Sequence, residues 1–144
     1  MKRHESIAPL SRDHHASLIL AQLLKKNAPA YKGMPDTIAD KVTYAQELFQ
    51  SSIQKHFEQE EAMLDLVTDC NVEIKALAGE IKTEHRELTA LFQSLETATD
   101  LKETMNTLAI ALEKHIRKEE RILFPSLQLH CSDEQLQDIS KLVH

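Results

Sequence analysis

The chain has 144 residues, 42% hydrophobic and 28% charged, which is the profile of one globular domain with room for a sizeable core. A formal net charge of -6 without a basic cluster argues against nucleic acid as a partner. No run approaches the roughly 18 uninterrupted apolar residues of a membrane span, and the opening MKRHESIAPLSRDHH has neither the apolar stretch nor the cleavage site of a secretory signal.

Only 2 Gly and 4 Pro are present, too little punctuation for an all-β fold, and apolar residues recur every three or four positions, the helical period. A first helix is expected over roughly Ser6 to Asn27, with Pro9 tolerated in the first turn. Pro29, Gly33 and Pro35 make Ala28 to Pro35 a loop. A second helix starts near Thr37, capped by Asp36 or Thr37, and runs to about Val67 on the stripe Ile38, Val42, Ala45, Phe49, Ile53, Met63 and Val67. The turn Asp69-Cys70-Asn71 precedes a third, with Ile74, Leu77, Ile81, Leu88, Phe92 and Leu95. After Thr99-Asp100 a fourth carries Leu101, Met105, Leu108, Leu112, Ile122 and Leu123. A short last helix is expected over Asp133 to Val143. The fold class is therefore all-α: an up-down-up-down antiparallel four-helix bundle over about 6–127, with a C-terminal extension over about 128–144, together one domain. Cys70 and Cys131 lack metal-type spacing and read as reduced thiols of a cytoplasmic protein.

Eight histidines in an acidic helical chain direct attention to metal ligands. His56-x-x-x-Glu60 and His115-x-x-x-Glu119 place an imidazole and a carboxylate one turn apart on a single helix face. Both pairs continue apolar stripes, and so does His85, between Ile81 and Leu88. His14 has the more apolar flank of the adjacent His14 and His15, and is chosen over His15 for that reason. A buried carboxylate without a partner costs several kcal/mol, and a metal removes that cost. With antiparallel neighbours at about 1.5 Å rise per residue, the four histidines fall at similar heights. The expected ligand set is His14, His56, Glu60, His85, His115 and Glu119, a donor set suited to two iron ions, with manganese or zinc as substitutes. Glu61 and Glu120 are expected to be solvated or to support the ligands. Glu84 and Glu87 are expected to face solvent, Glu58 to point away from His56, and His4, His130 and His144 to lie on the surface.

These residues carry a resemblance. DHH at Asp13, HFEQEE at His56, TEHREL at Thr83 and HIRKEERILFP at His115 resemble the hemerythrin-like, or HHE cation-binding, domains over about Ile7 to Leu127. The resemblance implies a non-haem diiron centre bridged by Glu60 and Glu119, with His14 and His56 mainly on one iron and His85 and His115 on the other. Oxygen-carrying hemerythrins have another His one turn after the third-helix His, where this chain has Thr89, and their last acidic bridge follows its His by five rather than four. Both departures are more similar to the bacterial HHE group. The first reading is a metal- and small-ligand-binding protein, preferred to an enzyme, that holds iron and O2, NO or a related small ligand for sensing, storage or delivery. The alternatives are a peroxidase-like, NO-reducing or iron-centre-repair diiron enzyme acting on NO or peroxide, and a zinc-filled or vestigial bundle serving as an interaction module. A ferritin-like site would use Glu-x-x-His pairs with a Glu on each remaining helix, a pattern these stripes do not have.

Overall fold

The computed structural model describes residues 2–144, and among them there is no β-strand. The helices are α1 (Ala8–Leu24), α2 (Ile38–Leu48), α3 (Gln54–Val67), α4 (Val72–Ser94), α5 (Leu101–Lys118), α6 (Phe124–His130) and α7 (Asp133–Val143). Two single π turns, Phe49–Ile53 and Glu119–Leu123, join α2 to α3 and α5 to α6 without a break. The chain thus makes four long rods in an up-down-up-down bundle, with α7 laid against α3. Around the bundle α1 packs on α5, α5 on α4, α4 on α3, and α3 closes on α1.

Local chemistry sets the boundaries. Thr37, Asn71 and Asp100 cap their helices by accepting hydrogen bonds from Asp40, Ile74 and Glu103 backbone amides at 3.1, 2.7 and 3.1 Å. Ser132 opens α7 with a capping box completed by Gln135. Each such cap is worth about 1 kcal/mol. Gly33, at φ +78, turns the loop before α2 through the left-handed region that L side chains avoid. None of the described helices is long and apolar enough to cross a membrane.

The apolar stripes bury two clusters. One joins Ile7, Leu10, Met63, Leu64, Ile81, Leu123 and Phe124 with the α7 residues Leu136 and Ile139. The other joins Leu20, Leu24, Phe49, Phe57, Leu88, Phe92, Leu112 and Ile116. Burying one Leu or Phe contributes roughly 1.5–3 kcal/mol. Between the clusters every rod contributes polar side chains to one layer: His14, His56 with Glu60, His85, and His115 with Glu119, all buried.

Two stripe residues depart from expectation. Ile122 is 46% exposed while Leu123 is fully buried, and Ile38 is 37% exposed at the open start of α2. A π turn holds more residues than an α turn and so shifts the phase of the stripe, which carries Ile122 outward.

Candidate metal centre

The six side chains meet in the polar layer at mid-bundle. Glu60, on α3, places Oε1 at 3.0 Å from His85 Nε2 and Oε2 at 3.2 Å from His56 Nε2. Glu119, at the start of the second π turn, places Oε1 at 3.0 Å from His115 Nε2 and 3.2 Å from His14 Nε2. The ligand-type atoms form two groups of four, each within 4.8 Å: His14, His56, Glu60 and Glu119, and Glu60, His85, His115 and Glu119. The two carboxylates belong to both groups. His14 is buried in this layer, whereas His15 is exposed.

All four imidazoles turn Nε2 inward and Nδ1 outward, and each Nδ1 meets a carboxylate. His14 Nδ1 is 2.6 Å from Glu120, His56 Nδ1 is 3.0 Å from Asp13, His85 Nδ1 is 2.8 Å from Glu61, and His115 Nδ1 is 2.7 Å from Glu84. Such outer carboxylates fix the ring and raise the basicity of the inward nitrogen. The pattern has two-fold character. The residues just before His14 and His85 serve His56 and His115, and those just after Glu60 and Glu119 serve His85 and His14.

Glu84 does not simply face solvent; it holds His115 and is itself paired with Lys118 at 2.8 Å. Asp13, to which the apolar stripes do not point, holds His56. The signal for both was an acidic residue directly before a stripe histidine, in Asp13-His14 and again in Glu84-His85. Glu61 and Glu120, left between solvent and support, hold His85 and His14. Glu58 and Glu87 are exposed, as are His4, His130 and His144.

The donor set suits a metal. His56 Nε2, His115 Nε2, Glu60 Oε2 and Glu119 Oε2 are buried without a hydrogen bond. Unpaired buried polar atoms are costly, and a cation between them would satisfy all four. The charges agree. Burial opposes protonation of His14, but hydrogen bonds with Glu119 and Glu120 push its pKa up to about 12. Burial likewise opposes charge on His56 and His115, yet the charges of Glu60 and Glu119, with the bonds to Asp13 and Glu84, push them up to about 9 and about 10. Burial would raise Glu60, but the His56 charge together with the close contacts of Glu119, His14 and His56 outweighs it and holds the carboxyl well below its ordinary value. The layer is thus a negative cradle in which His14, His56 and His115 keep protons until a stronger cation replaces them.

Aromatic rings fix the imidazole planes. Phe57 stacks on His85, with ring centroids 4.1 Å apart, and Phe124 lies parallel to His14 at 5.6 Å. A cavity of about 560 Å³ between α3 and α4 reaches His85 past Phe57 and Thr89. A second, of about 670 Å³, reaches His115 past Glu84 and Lys118.

A family model for the hemerythrin HHE cation-binding domain matches residues 5–127 and again 76–142. The chain belongs to the hemerythrin HHE cation-binding family. The first HHE match contains every residue of the polar layer, and the second runs from α4 into α7. Comparison with curated proteins and with solved structures returns no match.

Proposed function

We propose that this HHE protein binds two iron ions in the mid-bundle layer. Glu60 and Glu119 bridge the pair, His14 and His56 serve one iron, and His85 and His115 serve the other. The observation that carries this reading is the sharing of both carboxylates by two four-residue groups. The imidazole and carboxylate donors suit iron, while zinc and manganese remain chemically acceptable substitutes. Only two imidazoles per iron leave coordination positions for O2, NO or a related small ligand, and we assign the protein to reversible binding of such a ligand in sensing, storage or delivery.

A diiron enzyme acting on peroxide or NO is the second reading. The cavities beside His85 and His115 give a reactant an approach to the layer, as they do a reversibly bound ligand. When bound, the iron pair would supply the redox chemistry. The chain itself orients the imidazoles through Glu120, Asp13, Glu61 and Glu84 and stacks Phe57 over His85.

Metal analysis of protein expressed with ample iron, together with optical spectra of reduced, oxygen-exposed and azide-treated samples, tests both. Two irons per chain with oxo-bridge absorption and reversible bleaching support the binding protein. Catalytic turnover of peroxide or NO, lost in His115→Ala, supports the enzyme. One iron per chain contradicts the six-ligand pair, and zinc alone contradicts both iron readings.

A further inference from the structure

The two cysteines lie far apart in sequence and meet at one end of the bundle, away from the polar layer. Cys70 sits in the turn between α3 and α4 and is half-buried; Cys131 ends α6 just before α7 and is 9% exposed. The Cys70 thiol donates to the His130 carbonyl at 3.1 Å, the peptide unit leading into Cys131, and lies 3.7 Å from Gln135 Oε1. That same oxygen accepts the Ser132 amide at 2.8 Å in the capping box of α7. Both sulfurs pack in the apolar cluster that includes Leu136 and Ile139 of α7. Burial and the adjoining Cys70 thiol push the Cys131 thiol up to about 12, so the half-exposed Cys70 is the sulfur placed to react first.

We propose that Cys70 and Cys131 form a peroxide-oxidisable dithiol whose disulfide clasps the C-terminal helix to the bundle. Cys70 sulfur, as thiolate, attacks one oxygen of hydrogen peroxide. The O–O bond breaks, hydroxide leaves and takes a proton to become water, and Cys70 becomes a sulfenic acid. Cys131 sulfur then attacks Cys70 sulfur. The S–O bond breaks, the hydroxyl leaves with the Cys131 proton as a second water, and the S–S bond forms. Two thiols lose two electrons and one peroxide gains them. The linkage joins the α3–α4 turn to the start of α7, which lies outside the four-rod bundle. It also closes a long loop, which restricts the unfolded chain.

The test treats the full-length chain with peroxide in the presence of a chelator, so that no iron consumes the oxidant. The expected product is a monomer two hydrogens lighter, whose non-reduced peptide map joins the Cys70 and Cys131 peptides and whose linkage dithiothreitol reverses. Its melting temperature should rise by roughly 5–10 °C, and amide exchange across residues 133–143 should slow by about tenfold. Cys131→Ser should stop at a Cys70 sulfenic acid that dimedone traps, while Cys70→Ser should leave Cys131 unreacted. Sulfinic acid on Cys70 beside a free Cys131, linkage between chains, or an unlinked chain after peroxide would each overturn the proposal. The mass of the unmutated protein decides even if a serine variant folds poorly.

Discussion

Each imidazole of the layer is held at Nδ1 by a carboxylate, and that outer contact separates ligand quality from ligand presence. Glu84 reaches His115 Nδ1 at 2.7 Å and is paired with Lys118, while its side chain keeps 27% exposure. Glu84→Gln should therefore keep the fold and weaken metal binding roughly 10- to 100-fold, measured by competition with a coloured chelator. The exposed Glu58→Gln is the control and should change nothing. Phe57 offers a different lever: it is 5% exposed and stacked on His85. Phe57→Ala should cost about 3–5 kcal/mol in denaturant unfolding and also free the His85 ring to rotate. Metal affinity should fall with stability in that variant but not in Glu84→Gln, where affinity falls alone.

At the scale of the element, the π turn at Phe49–Ile53 explains how a long helix keeps one face inward. Ala45, Phe49 and Ile53 are all buried at intervals of four, which in an unbroken α-helix would drift by about 40° each time. The π turn absorbs that drift and returns His56 and Glu60 to the core. Deleting the exposed Ser51 should convert the π turn to plain α-helix and leave the downstream face in place. Metal content should persist, with a modest change in melting temperature. Deleting the equally exposed Glu58 lies outside any π turn and should rotate Glu60 by about 100° relative to His56, abolishing metal retention. Metal counts and thermal melts of the two deletions decide the matter, and equal behaviour would contradict the argument. The helices were legible in the sequence because period is local; the cap of α2 is Thr37, one of the two residues the sequence offers, and Asn71 and Asp100 stand in the expected turns as the caps of α4 and α5. The phase slip that exposes Ile122 was not, since a π turn is a choice among nearly equal local hydrogen-bond patterns that packing decides. Glu84 was misread for a related reason. On its own helix it flanks the solvent face, and only the neighbouring α5 brings His115 within its reach.

Across the whole molecule, two apolar clusters enclose a layer whose charge balance depends on protons or on metal. His56, His115 and His14 have pKa values pushed to about 9, about 10 and about 12, above the ordinary 6.5. A raised pKa gives stability that is complete below 6.5 and is lost as pH rises through the folded values. Glu60 is the opposite case. Held below 4.5, it contributes above that value and its contribution is lost as pH falls. For these groups the chelator-treated protein should therefore be most stable between 4.5 and 6.5 and should weaken progressively from 6.5 toward 10. Metal should reverse the alkaline limb, because a cation held by these imidazoles would need Nε2 lone pairs and would expel the protons that occupy them. The gap in melting temperature between zinc-loaded and chelator-treated protein should widen as pH rises from 6.5 to 9, and titration calorimetry in two buffers of different ionisation enthalpy should detect protons released on binding. Scanning calorimetry across that range reads the gap directly. A gap independent of pH, with no proton release, would mean that the imidazoles do not give up their inward protons to the metal, and would contradict the exchange of protons for cation in this layer.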